Sequence, residues 1–291
     1  MSDRVLLIGA AGLVGRHVRA ALADREVVAT FHHDPVDDGV AAVQLDITDG
    51  AAVRGLVARV RPAAVVLAAA DPYVEGCERD PDGTRRVNVE AAAAVREAAA
   101  DATLVVFSSE YVFDGRGGAY REDDPVAPLN VYGHQKVALE EIARSSPRHL
   151  ILRVSGVFGA EPRRKNFVWQ LVDRLRGGAT FDVPSDQVVT PTDAPSLATA
   201  LRELLDRGAV GTFHAAGPEI LGRVEFARMI ARAFDLDESR IRPRPTAELG
   251  LRATRPKQAG LSDEKLRALL GHGLRQPEAA LLELAGGRPH A

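Results

Sequence analysis

The chain has 291 residues, of which 46% are apolar and 26% are charged, as in an ordinary soluble globular protein. Its 37 basic and 40 acidic residues leave a net charge of −3, which argues against nucleic acid and an anionic membrane surface as partners. The single cysteine, Cys77, excludes an internal disulfide and a cysteine-based zinc site. We therefore expect a cytoplasmic protein with no metal, and no apolar run approaches the roughly 18 residues of a membrane helix.

The first half of the chain alternates short apolar runs with longer helical patterns. The apolar runs, which we predict to be strands, cover residues 5–8, 27–31, 43–45, 64–68, 104–107 and 150–154. The helical patterns cover residues 13–23, 51–60, 84–99 and 131–144. Because the apolar runs lack polar alternation, they are typical of strands covered on both faces. This order predicts an α/β fold, a doubly wound parallel Rossmann sheet.

The second half of the chain has a looser rhythm. Helices are predicted over residues 166–176, 194–206, 223–234, 262–270 and 277–284, and strand-like pieces over 179–183, 187–189 and 211–214. We predict a dinucleotide-binding Rossmann domain over residues 1–155. Residues 156–291 would form a smaller substrate lobe, intertwined with that domain, over the carboxyl ends of the strands.

A glycine-rich segment, G-x-x-G-x-x-G, directly follows the first predicted strand and opens a helix. Gly9 suits a tight turn, Gly12 a close backbone approach to a pyrophosphate, and Gly15 close packing of helix on strand. The helix amides would then face the phosphates. The residues predicted to bind the coenzyme here are Gly9, Gly12, Leu13, Val14, Gly15 and Arg16.

The end of the second strand bears on which coenzyme is used. An NAD-selective domain usually places an acidic residue there, whereas this chain has His32, and Arg16 is available for a 2′-phosphate. We therefore favour NADP(H), while Asp34 leaves NAD(H) open. Asp46 and Ile47 follow the third strand, where adenine would bind; helix capping is the alternative role for Asp46.

Three residues could assist the reduction of a ketone by a hydride from the coenzyme. Tyr132 and Lys136 lie one helical turn apart, and Ser109 ends the fifth strand, at the sheet edge where chemistry is assembled. We expect Tyr132 to donate a proton to the developing alkoxide and Lys136 to lower the pKa of the phenol by its charge. Ser109 would hold the substrate oxygen.

Several segments of the chain carry a family resemblance: Ser108–Gly115 (S-S-E-Y-V-F-D-G), Pro128–Lys136 (P-L-N-V-Y-G-H-Q-K), Asp186–Thr192 (D-Q-V-V-T-P-T), Arg86–Val89, Gly211–Gly217 and Arg255-Pro256. Together they resemble the dTDP-4-dehydrorhamnose reductases among the extended short-chain dehydrogenases/reductases. The resemblance runs from about residue 4 to about residue 272.

The resemblance implies an oxidoreductase that reduces a keto group on a 4-keto-6-deoxy nucleotide sugar. By position it adds Ala68, Ala69, Ala70 and Val154, together with Tyr132 and Lys136, to the coenzyme site. It implies a substrate site containing Ser109, Glu110, Tyr111, Asn166, Gln187 and Arg255. Residues 163–165 (R-R-K) would meet a diphosphate, or form a solvated surface loop.

Three departures from the family pattern concern the substrate. Glu110 replaces the family's Asp, Val189 replaces its usual Gly, and residues 71–75 differ from the loop common after the fourth strand. A substrate other than dTDP-4-dehydrorhamnose therefore stays open.

Other functions have to be weighed against a reductase. A dehydratase would need a second carboxylate where Tyr111 stands, whereas an epimerase can share the Ser/Tyr/Lys set. The chain also resembles the regulatory β subunit of methionine adenosyltransferase, which binds a dinucleotide without needing to turn it over. We favour an enzyme, because every group that a reductase needs is retained. A homodimer is left open.

Overall fold

Seven parallel strands form the central sheet of the computed structural model, which describes residues 4–35 and 42–286. The strands in chain order are β1 (Val5–Ile8), β2 (Val27–Phe31), β3 (Ala42–Gln44), β4 (Ala64–Leu67), β5 (Thr103–Ser109), β6 (His149–Val154), β7 (Val157–Phe158), β8 (Phe181–Pro184), β9 (Val188–Val189), β10 (Thr192–Asp193), β11 (Gly211–His214), β12 (Leu221–Gly222) and β13 (Ile241–Arg244). The central sheet has the order β11-β6-β5-β4-β1-β2-β3, with every pairing parallel. The predicted doubly wound parallel sheet is confirmed.

The strand order reverses between β1 and β4. In sheets of this kind, ligands bind outside the carboxyl ends of the strands at such a switch point. The glycine-rich segment follows β1, and residues 68–70 follow β4, so both flank this crevice.

Alternate residues of each central strand pack on opposite faces of the sheet. Leu7 lies in one apolar core with the helices over residues 13–21 and 194–206, whereas Leu6 and Ile8 lie in another with the helices over residues 50–60, 91–98 and 131–144. Leu6 and Leu7 are both fully buried, which explains why the strand sequences lack polar alternation.

The helices are α1 (Leu13–Ala21), α2 (Gly50–Val60), α3 (Val74–Arg79), α4 (Pro81–Arg85), α5 (Ala91–Ala98), α6 (Val131–Arg144), α7 (Phe167–Arg176), α8 (Ala194–Asp206), α9 (Arg223–Ala233), α10 (Glu264–Leu270) and α11 (Pro277–Gly286). The predicted helix 84–99 is interrupted by a π-helical turn over Arg86–Glu90. Helix α3 was not predicted. Across the described ranges, no helix has the length and apolar content needed to cross a membrane.

The second half of the chain contributes to two layers of the fold. Strand β11 pairs with β6 at the sheet edge, and α8 packs against α1. A separate apolar core, which includes Phe158, Leu171 and Phe226, joins α7, α9 and α11. The central sheet therefore contains strands from both sides of the predicted boundary between residues 155 and 156. The division into two domains stays a prediction.

Candidate active site

In the glycine-rich loop, two glycines lie so close to neighbouring backbone atoms that no side chain would fit. Gly9 has φ +93°, and a Cβ there would lie 2.6 Å from the Ala69 nitrogen. A Cβ on Gly15 would lie 2.1 Å from the Gly9 carbonyl oxygen. These two glycines are thus required by the fold itself.

Gly12 has a different role, because a Cβ there would meet only the Gly9 oxygen, at 3.5 Å. Gly12 is also the N-cap of α1, and no side chain caps the helix there. The first amides of α1, including those of Leu13 and Val14, are therefore available to an anion. This open, uncapped cradle fits the pyrophosphate of a dinucleotide.

Residues 68–70 and Val154 lie at the sheet edge that the coenzyme would cross. The amides of Ala68 and Ala69 donate to the Ile8 carbonyl, at 2.9 and 3.0 Å, which fixes this segment beside the glycine loop. Val154 pairs in register with Ser109 across β6 and β5.

The end of the crevice beyond β2 carries His32 and Asp46, whose Nε2 and Oδ2 atoms are 3.9 Å apart. The hydroxyl and amide of Thr48 donate to Asp46 at 2.7 and 2.9 Å, and these bonds lower the pKa of Asp46. Ile47 is buried beside it. On α1, the Nε atom of Arg16 is buried without a hydrogen-bond partner among the described residues.

The loop after β7 reaches this same end of the crevice. Arg163 forms an ion pair with Asp34, and the ring of His17 on α1 bonds to the Ala160 carbonyl at 3.1 Å. Arg164 instead pairs with Asp173. The first two basic residues of the segment 163–165 are therefore engaged in ion pairs, and Arg163 lies at the end of the crevice beyond β2.

Ser109, Tyr132 and Lys136 converge at the carboxyl edge of the sheet. Asn130 starts α6 by accepting from the Gly133 amide at 2.8 Å, and the helix then presents Tyr132 and Lys136 to the end of β5. The Lys136 ammonium donates to the Phe107 carbonyl at 2.9 Å and lies 5.5 Å from the centre of the Tyr132 ring. Ser109 lies beside the Tyr132 phenol and acts to lower its pKa, against larger effects in the opposite direction.

The charge states of these groups differ in part from the expectation. Burial and the nearby Glu110 carboxylate raise the pKa of Tyr132, so the prediction of a phenol with a lowered pKa is wrong in this structure. The physical reason is that Tyr132 is only 8% exposed, and loss of hydration penalises a phenolate. The phenol is therefore firmly protonated, which is the form that a proton donor needs. Burial also lowers the pKa of Lys136 to about 8.

Tyr111 lies between Tyr132 and Arg255. Tyr111 packs edge-on against the Tyr132 ring, with 5.6 Å between ring centres. Arg255 donates to the Tyr111 hydroxyl at 2.9 Å and to Glu75 at 2.7 Å. Glu75 lies at the start of α3 and belongs to residues 71–75, which depart from the family pattern. The Nε atom of Arg255 is buried without a hydrogen-bond partner in the described ranges.

Two other predicted substrate residues have their side chains engaged elsewhere. Asn166 caps α7 and donates to the Gly159 carbonyl at 3.1 Å and to Glu161 at 2.8 Å. Gln187 donates to the Thr246 hydroxyl at 2.8 Å. Their role in substrate binding stays a prediction.

The family model described as RmlD substrate binding domain matches residues 3–286. The chain belongs to this family. The predicted resemblance to dTDP-4-dehydrorhamnose reductases is confirmed by the relatives that follow.

Two curated relatives are similar over almost the whole chain. A dTDP-4-dehydrorhamnose reductase of Streptomyces griseus is 33% identical over 290 residues, 96% of this chain and 92% of that protein. Methionine adenosyltransferase 2 subunit beta of Pongo abelii is also 33% identical, over 94% of this chain and 84% of that protein. Among solved structures, the dTDP-4-dehydrorhamnose reductase of Bacillus anthracis in complex with NADP has a TM-score of 0.87 at 27% identity. That match covers 98% of this chain and 99% of the Bacillus chain.

In this RmlD-family chain, sequence reasoning missed Arg223, the first residue of α9. Its guanidinium lies 4.4 Å from the centre of the Phe167 ring, and its charge acts on both Glu110 and Tyr111. The Nε atom is buried and lacks a hydrogen-bond partner among residues 4–35 and 42–286. No local motif singles out Arg223, one of 33 arginines; only the folded chain brings it to the site.

Proposed function

We propose that this chain is an NAD(P)H-dependent reductase of the short-chain dehydrogenase/reductase type. Its substrate would be the keto group of a 4-keto-6-deoxy nucleotide sugar, as in the dTDP-4-dehydrorhamnose reductases to which it is similar. The observation that carries the proposal is the convergence of Ser109, Tyr132 and Lys136 beside a dinucleotide cradle at the switch point of the sheet.

The reduced coenzyme, when bound, supplies a hydride to the carbonyl carbon. Tyr132 then donates its phenolic proton to the oxygen, which takes up negative charge as the carbonyl is reduced. Ser109 holds that oxygen by a hydrogen bond. Lys136, with a pKa of about 8, is mainly charged at neutral pH, and its ammonium stabilises the negative charge that the reaction creates.

The substrate side offers two cations with unused donors. Arg223 and Arg255 each have a buried Nε atom without a partner in the described part of the chain. Guanidinium groups bind phosphate oxygens through paired N–H donors. These two arginines, and not the segment 163–165, are our candidates for the diphosphate of a nucleotide sugar.

The adenosine end of the crevice favours NADP(H). Asp34, the acidic residue that kept NAD(H) open, is paired with Arg163. Arg16 and His32 add further basic groups there. A 2′-phosphate would therefore meet a basic environment, consistent with the NADP found in the Bacillus anthracis reductase.

A direct test measures NADPH consumption with a panel of 4-keto-6-deoxy nucleotide sugars that includes dTDP-4-dehydrorhamnose. We expect oxidation of NADPH with at least one member, and slower oxidation of NADH. No turnover across the panel, with NADPH bound but inert, would contradict the reductase.

That negative result would favour the second candidate, a non-catalytic regulatory subunit. Its support is the equal 33% identity to methionine adenosyltransferase 2 subunit beta. A gain or loss of activity of a methionine adenosyltransferase on addition of this chain would then be the positive test. An epimerase, a homodimer and a cytoplasmic location stay predictions.

A further inference from the structure

The carboxyl group of Glu110 lies between the hydroxyl groups of two serines, Ser109 and Ser155. Its Oε2 atom lies 2.6 Å from the Ser109 hydroxyl, and its Oε1 atom accepts from the Ser155 hydroxyl at 3.2 Å. The Ser155 oxygen itself accepts from the Thr190 amide at 3.1 Å, so its proton is free to go to Oε1. Oε1 is thus the accepting oxygen, and a proton bound to Glu110 would lie on Oε2, facing Ser109.

The single proton of Ser109 limits what its hydroxyl can do. The oxygen accepts from the Tyr111 amide at 3.3 Å. If Glu110 is ionised, Ser109 must donate its only proton to Oε2, because a carboxylate can only accept. Ser109 then has no proton left for a substrate oxygen.

A protonated Glu110 reverses this hydrogen bond. Oε2 then donates to Ser109, whose oxygen accepts from Glu110 and from the Tyr111 amide. Both lone pairs are filled, and the serine proton is free to point at the substrate oxygen beside Tyr132.

We propose that Glu110 is a positioning residue for the reduction: its protonated carboxyl donates to Ser109 and so directs the serine proton toward the substrate oxygen. This inference rests on the proposed reductase function, and it gives Glu110 a role through Ser109 in place of direct substrate binding.

The surroundings of Glu110 support a protonated form. Burial raises its pKa above the ordinary value, although Ser109, Ser155 and the charge of Arg223 act in the opposite direction. The other titratable groups that face it are the phenols of Tyr111 and Tyr132, which are neutral. The reduction should therefore slow as pH rises through the pKa of Glu110. Lys136, whose pKa is about 8, should cause a separate decline near pH 8.

The test compares two substitutions that differ in one hydrogen bond. In Glu110→Gln, the amide N–H donates to Ser109 and the amide oxygen accepts from Ser155, so the variant imitates the protonated carboxyl at every pH. Glu110→Leu keeps the approximate size but donates nothing. We expect E110Q to retain the wild-type kcat at low pH and to lose the decline that belongs to Glu110, leaving only the one near pH 8. We expect the kcat of E110L to be about tenfold below that of E110Q at all pH values, the effect of one hydrogen bond.

A double-substitution cycle tests whether Glu110 acts through Ser109. In a Ser109→Ala background, E110L should cost less than about twofold, because the hydroxyl that it orients is gone. Equal rates for E110Q and E110L, or an undiminished cost of E110L in S109A, would overturn the proposal. Glu248→Gln, which removes an exposed carboxylate paired with Arg244, serves as the control and should match the wild type.

A measurement without substrate separates this proposal from the reductase itself. At about pH 5.5, where an ordinary glutamate is ionised, the infrared spectrum of the wild type should contain one carbonyl band of a protonated carboxyl that is missing from the spectrum of E110Q. An inactive wild type would refute the reductase, whereas absence of the band would refute protonated Glu110 alone.

Discussion

The buried charge of Lys136 is needed for the proposed reaction but lowers the stability of the fold. Replacing Lys136 with methionine removes the charge and tests both effects. The ammonium is 4% exposed and donates to one carbonyl, that of Phe107. Burial lowers its pKa from an ordinary 10.5 to about 8, so the fold opposes the charged amine by about 3 kcal/mol at neutral pH. Loss of the hydrogen bond to Phe107 offsets about 1 kcal/mol of the stability gained by removing the charge. We expect Lys136→Met to be more stable than the wild type by about 2 kcal/mol at pH 7, and to be inactive.

The sign of the pH dependence follows from the direction of this shift. Below pH 8 both the folded and the unfolded chain hold the proton of Lys136, and the full cost is present. Between about pH 8 and 10.5 the unfolded chain binds more protons than the folded one, so the stability of the wild type rises. The advantage of K136M over the wild type should therefore shrink as pH rises across this range.

Urea unfolding followed by circular dichroism, at pH 7 and pH 9.5, measures both differences. Lys265→Met is a matched control, because Lys265 also donates to a backbone carbonyl, that of Thr212, but is exposed. K265M should change the unfolding free energy by less than about 0.5 kcal/mol at either pH. A K136M protein less stable than the wild type at pH 7, or an advantage that does not depend on pH, would refute this reasoning.

Two further substitutions test the coenzyme cradle and the buried ion pair behind the site. Gly15→Ala would place a Cβ 2.1 Å from the Gly9 oxygen, so we expect weaker NADPH binding in a fluorescence titration and a loss of roughly 1–3 kcal/mol of stability. Gly55→Ala, in α2 with open space around it, should stabilise by up to about 1 kcal/mol and leave binding unchanged. Glu140→Leu would leave the fully buried Arg153 guanidinium without its carboxylate, which lies 2.8 Å away, and should cost roughly 3–5 kcal/mol in chemical unfolding. A G15A protein that binds NADPH normally, or an E140L protein of wild-type stability, would contradict these assignments.

The sequence predicts the central sheet well because its strands are buried on both faces. The apolar runs 5–8 and 27–31 coincide with β1 and β2 to the residue. The run 211–214 was also recognised as a strand, but its place at the edge of the main sheet was not foreseen. Pairing with β6 depends on contacts between residues about 60 positions apart, which no local pattern encodes.

The candidate site likewise has features that the local sequence predicts and features that depend on the folded chain. Ser109, Tyr132 and Lys136 were predicted because their spacing and their places at a strand end and on one helix face are local features. The raised pKa of Tyr132 was not predicted, because it depends on burial and on the position of Glu110 in the folded chain. Arg223 was missed for the same reason.

The central claim is that Tyr132 supplies the proton for reduction. Tyr132→Phe removes only the hydroxyl, so NADPH oxidation with dTDP-4-dehydrorhamnose, or with whichever panel sugar the wild type reduces, isolates that role. We predict a loss of at least about 10²-fold in kcat, with the dissociation constant for NADPH changed less than twofold. A Y132F protein that reduces the sugar at the wild-type rate would contradict the account.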